Sequence, residues 1–183
     1  MIESVSTYID HTNLSQTASK SDIENLCEEA VDNDFASVCV NPVFVPLASE
    51  ILNSKNPKVC TVVGFPLGAD SPEMKFAESR YLTHQGAEEL DMVINISALK
   101  EGDTRFIQSE IEKVVDAADG NCVKVIIETC LLTDEEKKIV SELAVNAGAD
   151  FIKTSTGFSF LGATEEDIKR ALLDVCIYDE VNN

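Results

Sequence analysis

The chain has 183 residues, 44% hydrophobic and 26% charged, with eight glycines and five prolines; this is the composition of a folded globular domain and excludes disordered, collagen-like and low-complexity classes. Fourteen basic against 33 acidic residues give a formal net charge of -19, a field that repels nucleic acid and anionic membranes and leaves a small molecule as the expected partner. No apolar run reaches the roughly 18 residues of a membrane helix, Met1-Ile2-Glu3-Ser4 carries no signal-peptide pattern, and the six cysteines form no CxxC pair, so a cytoplasmic protein with reduced thiols is expected.

The predicted elements alternate along the chain. A first strand is expected at 8–10. Ser21-Asp22-Ile23-Glu24 reads as a capping box before a helix with Leu26, Cys27, Ala30 and Val31 inward. The second strand, 37–40, runs into Asn41-Pro42, and the third, 60–65, is followed by Ser71-Pro72; each pair sets a cap residue before proline at a first helical position. After the fourth strand, 90–95, Asp103 opens a helix with an apolar stripe of Phe106, Ile107, Ile111, Val114, Val115 and Ala118, closed by Gly120. The fifth strand, 122–128, precedes a capping box at Thr133-Asp134-Glu135-Glu136 and a helix burying Ile139, Val140, Leu143 and Ala144. The sixth, 151–156, precedes a helix from Thr164 with Ile168, Ala171, Leu172 and Val175 inward. The strands are short, rich in valine and isoleucine and nearly continuous in hydrophobicity, as parallel strands covered on both faces are.

Strand and helix repeat at roughly 30 residues per unit, a right-handed βαβ series. No composition break divides residues 1–183 into two domains. A complete (β/α)8 barrel needs about 250 residues, so the length admits an open doubly wound sheet or a barrel with about six β/α units.

Three helix-to-strand junctions superimpose: Gly86-Ala87-Glu88-Glu89-Leu90-Asp91, Gly148-Ala149-Asp150-Phe151-Ile152-Lys153 and Asp34-Phe35-Ala36-Ser37-Val38-Cys39. Equal offsets on the second, fourth and sixth strands place Cys39, Asp91 and Lys153 at one depth of a barrel interior, where alternate strands share a layer. Alternation adds Asn95 beside Asp91, Ser155 beside Lys153, and a common face for Lys124, Ile126 and Glu128. A lysine inside an apolar strand needs a partner. One reading of Lys153 is a buried ion pair with Asp91 or Glu128. The other is a Schiff-base lysine whose pKa is lowered by burial, with Asp91 moving protons. His11 and Asp10 lack a third ligand at zinc spacing, so no metal site is expected there. The bland reading of His84 is a surface or capping residue on the third helix, and Gly64–Gly68 lacks the lysine and hydroxyl residue of a phosphate loop.

These segments resemble a known family. Phe151-Ile152-Lys153-Thr154-Ser155-Thr156-Gly157-Phe158 with Gly162-Ala163-Thr164 is similar to the signature of deoxyribose-phosphate aldolase. Asp10-His11-Thr12-Asn13-Leu14, Ser37-Val38-Cys39-Val40-Asn41-Pro42, Val63-Gly64-Phe65-Pro66-Leu67-Gly68, Glu89-Leu90-Asp91-Met92-Val93-Ile94-Asn95 and Lys124-Val125-Ile126-Ile127-Glu128-Thr129 resemble five further strand ends in family order. The resemblance implies an α/β (β/α)8 barrel and a class I aldolase without metal or organic cofactor. It implies cleavage of 2-deoxyribose 5-phosphate, a small phosphorylated sugar, to acetaldehyde and glyceraldehyde 3-phosphate. Lys153 matches the imine-forming residue and Asp91 the proton-transfer residue. Asp10 and Lys124 match supporting polar residues of the interior. Cys39 matches a site-adjacent cysteine, read from its own chemistry as a small core residue. Gly157 matches a position near the substrate phosphate.

The same resemblance marks a departure. The family continues through a seventh strand with a second lysine in a Lys-x-x-Gly-Gly pattern, and through an eighth that completes the phosphate site; this sequence shows neither after Val175. The expectation is an incomplete barrel with edges that a second copy could cover, weak phosphate affinity and impaired activity. The rival function is a non-catalytic remnant acting as an interaction module. A flavodoxin-like binding module is a third reading, but Thr12-Asn13-Leu14-Ser15 is not a glycine-rich anion loop.

Overall fold

A computed structural model describes residues 4–167. Six strands follow in chain order: β1 (Asp10–Asn13), β2 (Ser37–Val40), β3 (Lys58–Val63), β4 (Glu89–Val93), β5 (Cys122–Ile126) and β6 (Phe151–Lys153). Each pairs in parallel with the next, in the order β1-β2-β3-β4-β5-β6. Helices α1 (Lys20–Asp32), α2 (Val45–Leu52), α3 (Pro72–His84), α4 (Ile96–Lys100), α5 (Thr104–Ala118) and α6 (Asp134–Asn146) connect them.

The sheet is curled. Five strand spacings of about 4.8 Å would put the two edge strands some 24 Å apart in a flat sheet, yet Lys153 on β6 donates to Asp10 on β1 at 3.1 Å. Two edge strands whose side chains touch enclose an interior, so the architecture is the barrel type with six units and not the open doubly wound sheet or a flavodoxin-like module. Among the described residues β1 and β6 are its edges.

Two faces divide the strand residues. Val38, Val40, Val59, Val63, Leu90, Met92, Val123 and Val125 point outward and are buried against Ile23, Leu26, Leu82, Ile107, Ile111, Val114 and Val140 of the helices. Burying such a side chain contributes about 1.5–3 kcal/mol, so this shell supplies the main driving force. The inward face is different. Register pairs Cys39 with Cys60, Val62 with Asp91, Asp91 with Lys124, and Ile126 with Lys153. The two-residue steps along β3 and β5 are the stagger of tilted strands. They stack the interior in layers drawn alternately from even and odd strands: Ser37 and Glu89, then Asp10, Cys60 and Lys124, then Cys39, Asp91 and Lys153, then Thr12, Val62 and Ile126.

The structure corrects several boundaries. Residues 5–8 form a 3₁₀ turn, not the first strand; Thr7 Oγ1 donates to Ser4 O at 2.8 Å, a local bond that competes with strand pairing. The capping box of α1 is Ser19 with Asp22, two residues ahead of the predicted one. Val31 is consequently off the buried stripe and exposed. Asn41 does not cap; its side chain donates to Ser15 O, and a 3₁₀ turn at Pro42–Phe44 precedes α2. Lys58 and Val59 extend β3 toward its start, and Glu89 extends β4. The third, fourth, fifth and sixth strands end earlier than expected, at Val63, Val93, Ile126 and Lys153. Beyond β4 Asn95 caps α4, and beyond β5 Glu128 takes a left-handed conformation at φ 52°. Ser71, Asp103 and Thr133 cap α3, α5 and α6 as predicted. Thr164 accepts from Asp167 N; Ile168, Ala171, Leu172 and Val175 lie outside the described residues.

Candidate active site

The carboxyl ends of the strands open on a cavity of about 330 Å³ lined by Thr12, Cys39, Val62, Asp91, Lys153 and Gly157, among others. It lies where α/β barrels build their sites. A larger hollow of about 690 Å³ lies at the amino-terminal edge of β3, between Ser49, Lys55, Lys58 and Glu88. Its polar groups are solvent-facing, and the Lys58–Glu88 pair there is a surface one, so it is not the chemical site.

Lys153 Nζ projects to the floor of the cavity, its side chain 31% exposed. It donates to Asp91 Oδ2 at 2.5 Å and to Asp10 Oδ2 at 3.1 Å. Lys124 Nζ, in the layer below, pairs with Asp10 Oδ2 at 2.8 Å, Glu89 Oε2 at 2.6 Å and Asp91 Oδ1 at 3.4 Å, and lies 3.6 Å from Cys60 Sγ. Ser37 Oγ donates to Asp10 Oδ1 at 2.8 Å. Two ammonium groups and three carboxylates therefore share one interior, and Asp91 is 1% exposed. Cys39 completes its layer beside Cys60 and lines the cavity.

These contacts decide the protonation states. Burial alone would lower the pKa of Lys153, but the charges of Asp91 and Asp10 outweigh it and the net shift is upward. Lys124 acts on Lys153 in the lowering direction, as a like charge should, and is outweighed too. Lys124 is itself raised: burial opposes its charge, and Asp91, Asp10 and Glu89 more than offset that. Burial pushes the Asp10 carboxyl up, but Lys124 and Lys153 reverse this and hold it at about 2. Of the two readings of Lys153, the contacts match the ion pair, with Asp91 as the partner, and burial by itself does not lower the pKa here. The upward shift favours the ammonium–carboxylate pair.

The structure brings Cys39, Asp91 and Lys153 together as the equal offsets predict, with Asp10 and Lys124 beneath them. Glu128 is not the partner of Lys153. Its carboxylate accepts from Thr156 N at 3.3 Å and Thr156 Oγ1 at 2.5 Å, which braces the segment after β6. Asn95 is occupied as a cap, accepting from Ala98 N at 3.0 Å. Ser155 does line the cavity, and Gly157, at φ 81°, does as well. His11 pairs with Glu29 at 2.7 Å outside the site, and His84 lies exposed in the last turn of α3. Sequence reasoning missed Glu89, Ser37 and Cys60. Alternation would have found Glu89 two residues before Asp91 and Ser37 two before Cys39.

Comparison with known proteins agrees with this geometry. Residues 4–174 match the DeoC/LacD family of aldolases. The chain is 59% identical over 170 residues to deoxyribose-phosphate aldolase 1 of Bacillus licheniformis, covering 92% of this chain and 76% of that one. Among solved structures, the aldolase QR15 superposes with a TM-score of 0.90 at 40% identity, over 95% of this chain and 77% of the other. The deoxyribose phosphate aldolase of Aeropyrum pernix, described as tetrameric, gives 0.85 at 33% identity, over 91% of this chain and 70% of the other.

Proposed function

This chain belongs to the DeoC/LacD family of aldolases, and from that membership we propose that it cleaves 2-deoxyribose 5-phosphate, reversibly, to acetaldehyde and glyceraldehyde 3-phosphate through an imine on Lys153. The observation that carries the reading is the 2.5 Å contact between Lys153 Nζ and Asp91 Oδ2 at the floor of the cavity.

In this reading the lysine passes a proton to Asp91 and attacks the aldehyde carbon of the open-chain sugar, giving a carbinolamine. Asp91 returns the proton to the departing hydroxyl, and water leaves as the iminium forms. The C3 hydroxyl proton passes to the Asp91 carboxylate, freed by the preceding step, and the C2–C3 bond breaks. Its electrons move into the iminium to give an enamine, and glyceraldehyde 3-phosphate departs. Protonation of the enamine at C2 and hydrolysis release acetaldehyde and restore the amine. Asp10 and Lys124 hold the pair in place, and Lys124 opposes the ammonium charge of Lys153. Cys39 packs the wall, and the backbone at Gly157 leaves room for the phosphate to approach.

Because the resting ammonium is favoured and the chain is strongly acidic, turnover and phosphate affinity are expected to be low. A homo-oligomer, as in the Aeropyrum pernix relative, fits the edge strands β1 and β6, and size exclusion addresses it. Among the described residues no helix is long and apolar enough to cross a membrane. Borohydride reduction with acetaldehyde tests the chemistry. The wild type should gain the mass of a reduced ethyl adduct and Lys153→Met should not. An unlabelled wild type, under conditions that label the Bacillus licheniformis relative, would leave only the reading of a non-catalytic interaction module.

A further inference from the structure

Beside the catalytic lysine lies a donor set that shares only Asp91 with the aldol chemistry. Cys39 Sγ, Cys60 Sγ and an Asp91 oxygen all lie within 4.8 Å of one another, and the three residues are buried. They come from three consecutive strands, with Cys39 and Cys60 directly paired across β2 and β3. Asp91 Oδ1 is buried and accepts no hydrogen bond, although Lys124 Nζ stands 3.4 Å away. Its charged neighbour is the Lys124 ammonium, so the hydrogen-bonding capacity of this buried oxygen is only partly used.

We propose that Cys39, Cys60 and Asp91 bind a thiophilic divalent cation of the zinc and cadmium class, and that the bound ion competes with Lys153 for the charge of Asp91. Two sulfurs and one oxygen are a donor set that such ions favour over magnesium or calcium. Tetrahedral Zn–S bonds of about 2.3 Å put two sulfurs nearly 4 Å apart, so the site closes with side-chain movements of about 1 Å. Cys39 and Asp91 line the cavity, which gives the ion a way in and leaves its fourth position facing the substrate space.

The exchange is neutral in charge. Each thiol gives up one proton and the cation brings two positive charges, so the net charge of the buried cluster is unchanged. Lys124, 3.6 Å from Cys60 Sγ, then faces a thiolate instead of a thiol. The inhibitory consequence rests on the proposed aldolase reading; the binding itself does not.

The test uses the whole chain and cadmium chloride, read by the ultraviolet sulfur-to-cadmium charge-transfer band and by calorimetry. The expected result is one ion per chain with a band of two-thiolate intensity. Loss of an outer-shell hydrogen-bond partner already weakens metal sites about 10–100-fold, so Cys39→Ala and Cys60→Val should each weaken binding at least about 100-fold. Cys130→Ser and Cys176→Ser should bind as the wild type does. A wild type with no band at saturating cadmium overturns the proposal, as does a band that survives in Cys60→Val or disappears in Cys130→Ser. If the wild type binds cadmium but shows no borohydride adduct in its absence, the metal site stands and the aldolase reading falls.

Discussion

Lys124 carries the most informative prediction. Its Nζ and that of Lys153 flank one oxygen of Asp10 at 2.8 and 3.1 Å, which bounds their separation at about 6 Å. At an effective dielectric of about 20, two like unit charges at that distance repel by about 3 kcal/mol. That is about a 100-fold effect on the balance between ammonium and amine. Lys124→Met removes the repulsion and also strips Asp10, Glu89 and Asp91 of a shared cation, which favours the Lys153 ammonium further. Imine trapping with acetaldehyde and borohydride at pH 7 should therefore slow about 100-fold. Because the Lys153 pKa is raised above its ordinary value, the amine fraction climbs in parallel in both proteins between pH 7 and pH 10, so the deficit should persist across that range. Lys124→Arg keeps the charge and should recover most of the rate, which separates charge from packing. A Lys124→Met rate within about threefold of wild type at pH 7, or a deficit that Lys124→Arg leaves unrepaired, would refute the electrostatic account.

Three further outcomes follow from the structure. The Asp10 carboxyl is held at about 2, below its unfolded value near 3.9, so its contribution is present above pH 4 and fades as the pH falls toward 2. After allowing for its partial exposure, wild type should exceed Asp10→Asn by about 1–2 kcal/mol at neutral pH, and urea-unfolding curves should converge near pH 2. Lys75 and Glu110 are fully buried; Lys75 Nζ reaches Glu110 Oε2 at 2.5 Å and Val93 O at 2.7 Å, while Glu110 Oε1 accepts from Asn95 N at 2.7 Å. Lys75→Met should cost about 3–5 kcal/mol, with part recovered in Lys75→Met/Glu110→Leu; a single-variant loss under about 1 kcal/mol in urea titration contradicts this. A Cβ at Gly68 would sit 1.9 Å from Ile94 O, whereas one at Gly157 meets nothing within 4 Å. Both residues are left-handed, so Gly157→Ala should cost about 1–2 kcal/mol and Gly68→Ala should lower the melting temperature distinctly more.

The alternation of short apolar strands with capped helices was legible in the sequence, because hydrophobic period and cap chemistry act over a few residues. Ser71, Asp103 and Thr133 cap where their neighbours demand it. The polar first strand was not legible: Asp10, His11, Thr12 and Asn13 carry no apolar signal, and pairing with β2 makes them a strand. Equal offsets from three junctions brought Cys39, Asp91 and Lys153 to one depth, since βαβ units of one architecture repeat their geometry. Asp91 was foreseen as a partner of Lys153, but Asp10 as a second one was beyond that reasoning. Asp10 stands 143 residues away in the chain, and only the curl of the sheet closes that distance. The direction of the Lys153 pKa shift belongs to the tertiary structure as well, because it depends on the sum of burial and every nearby charge, a sum that exists only once the strands surround a common interior.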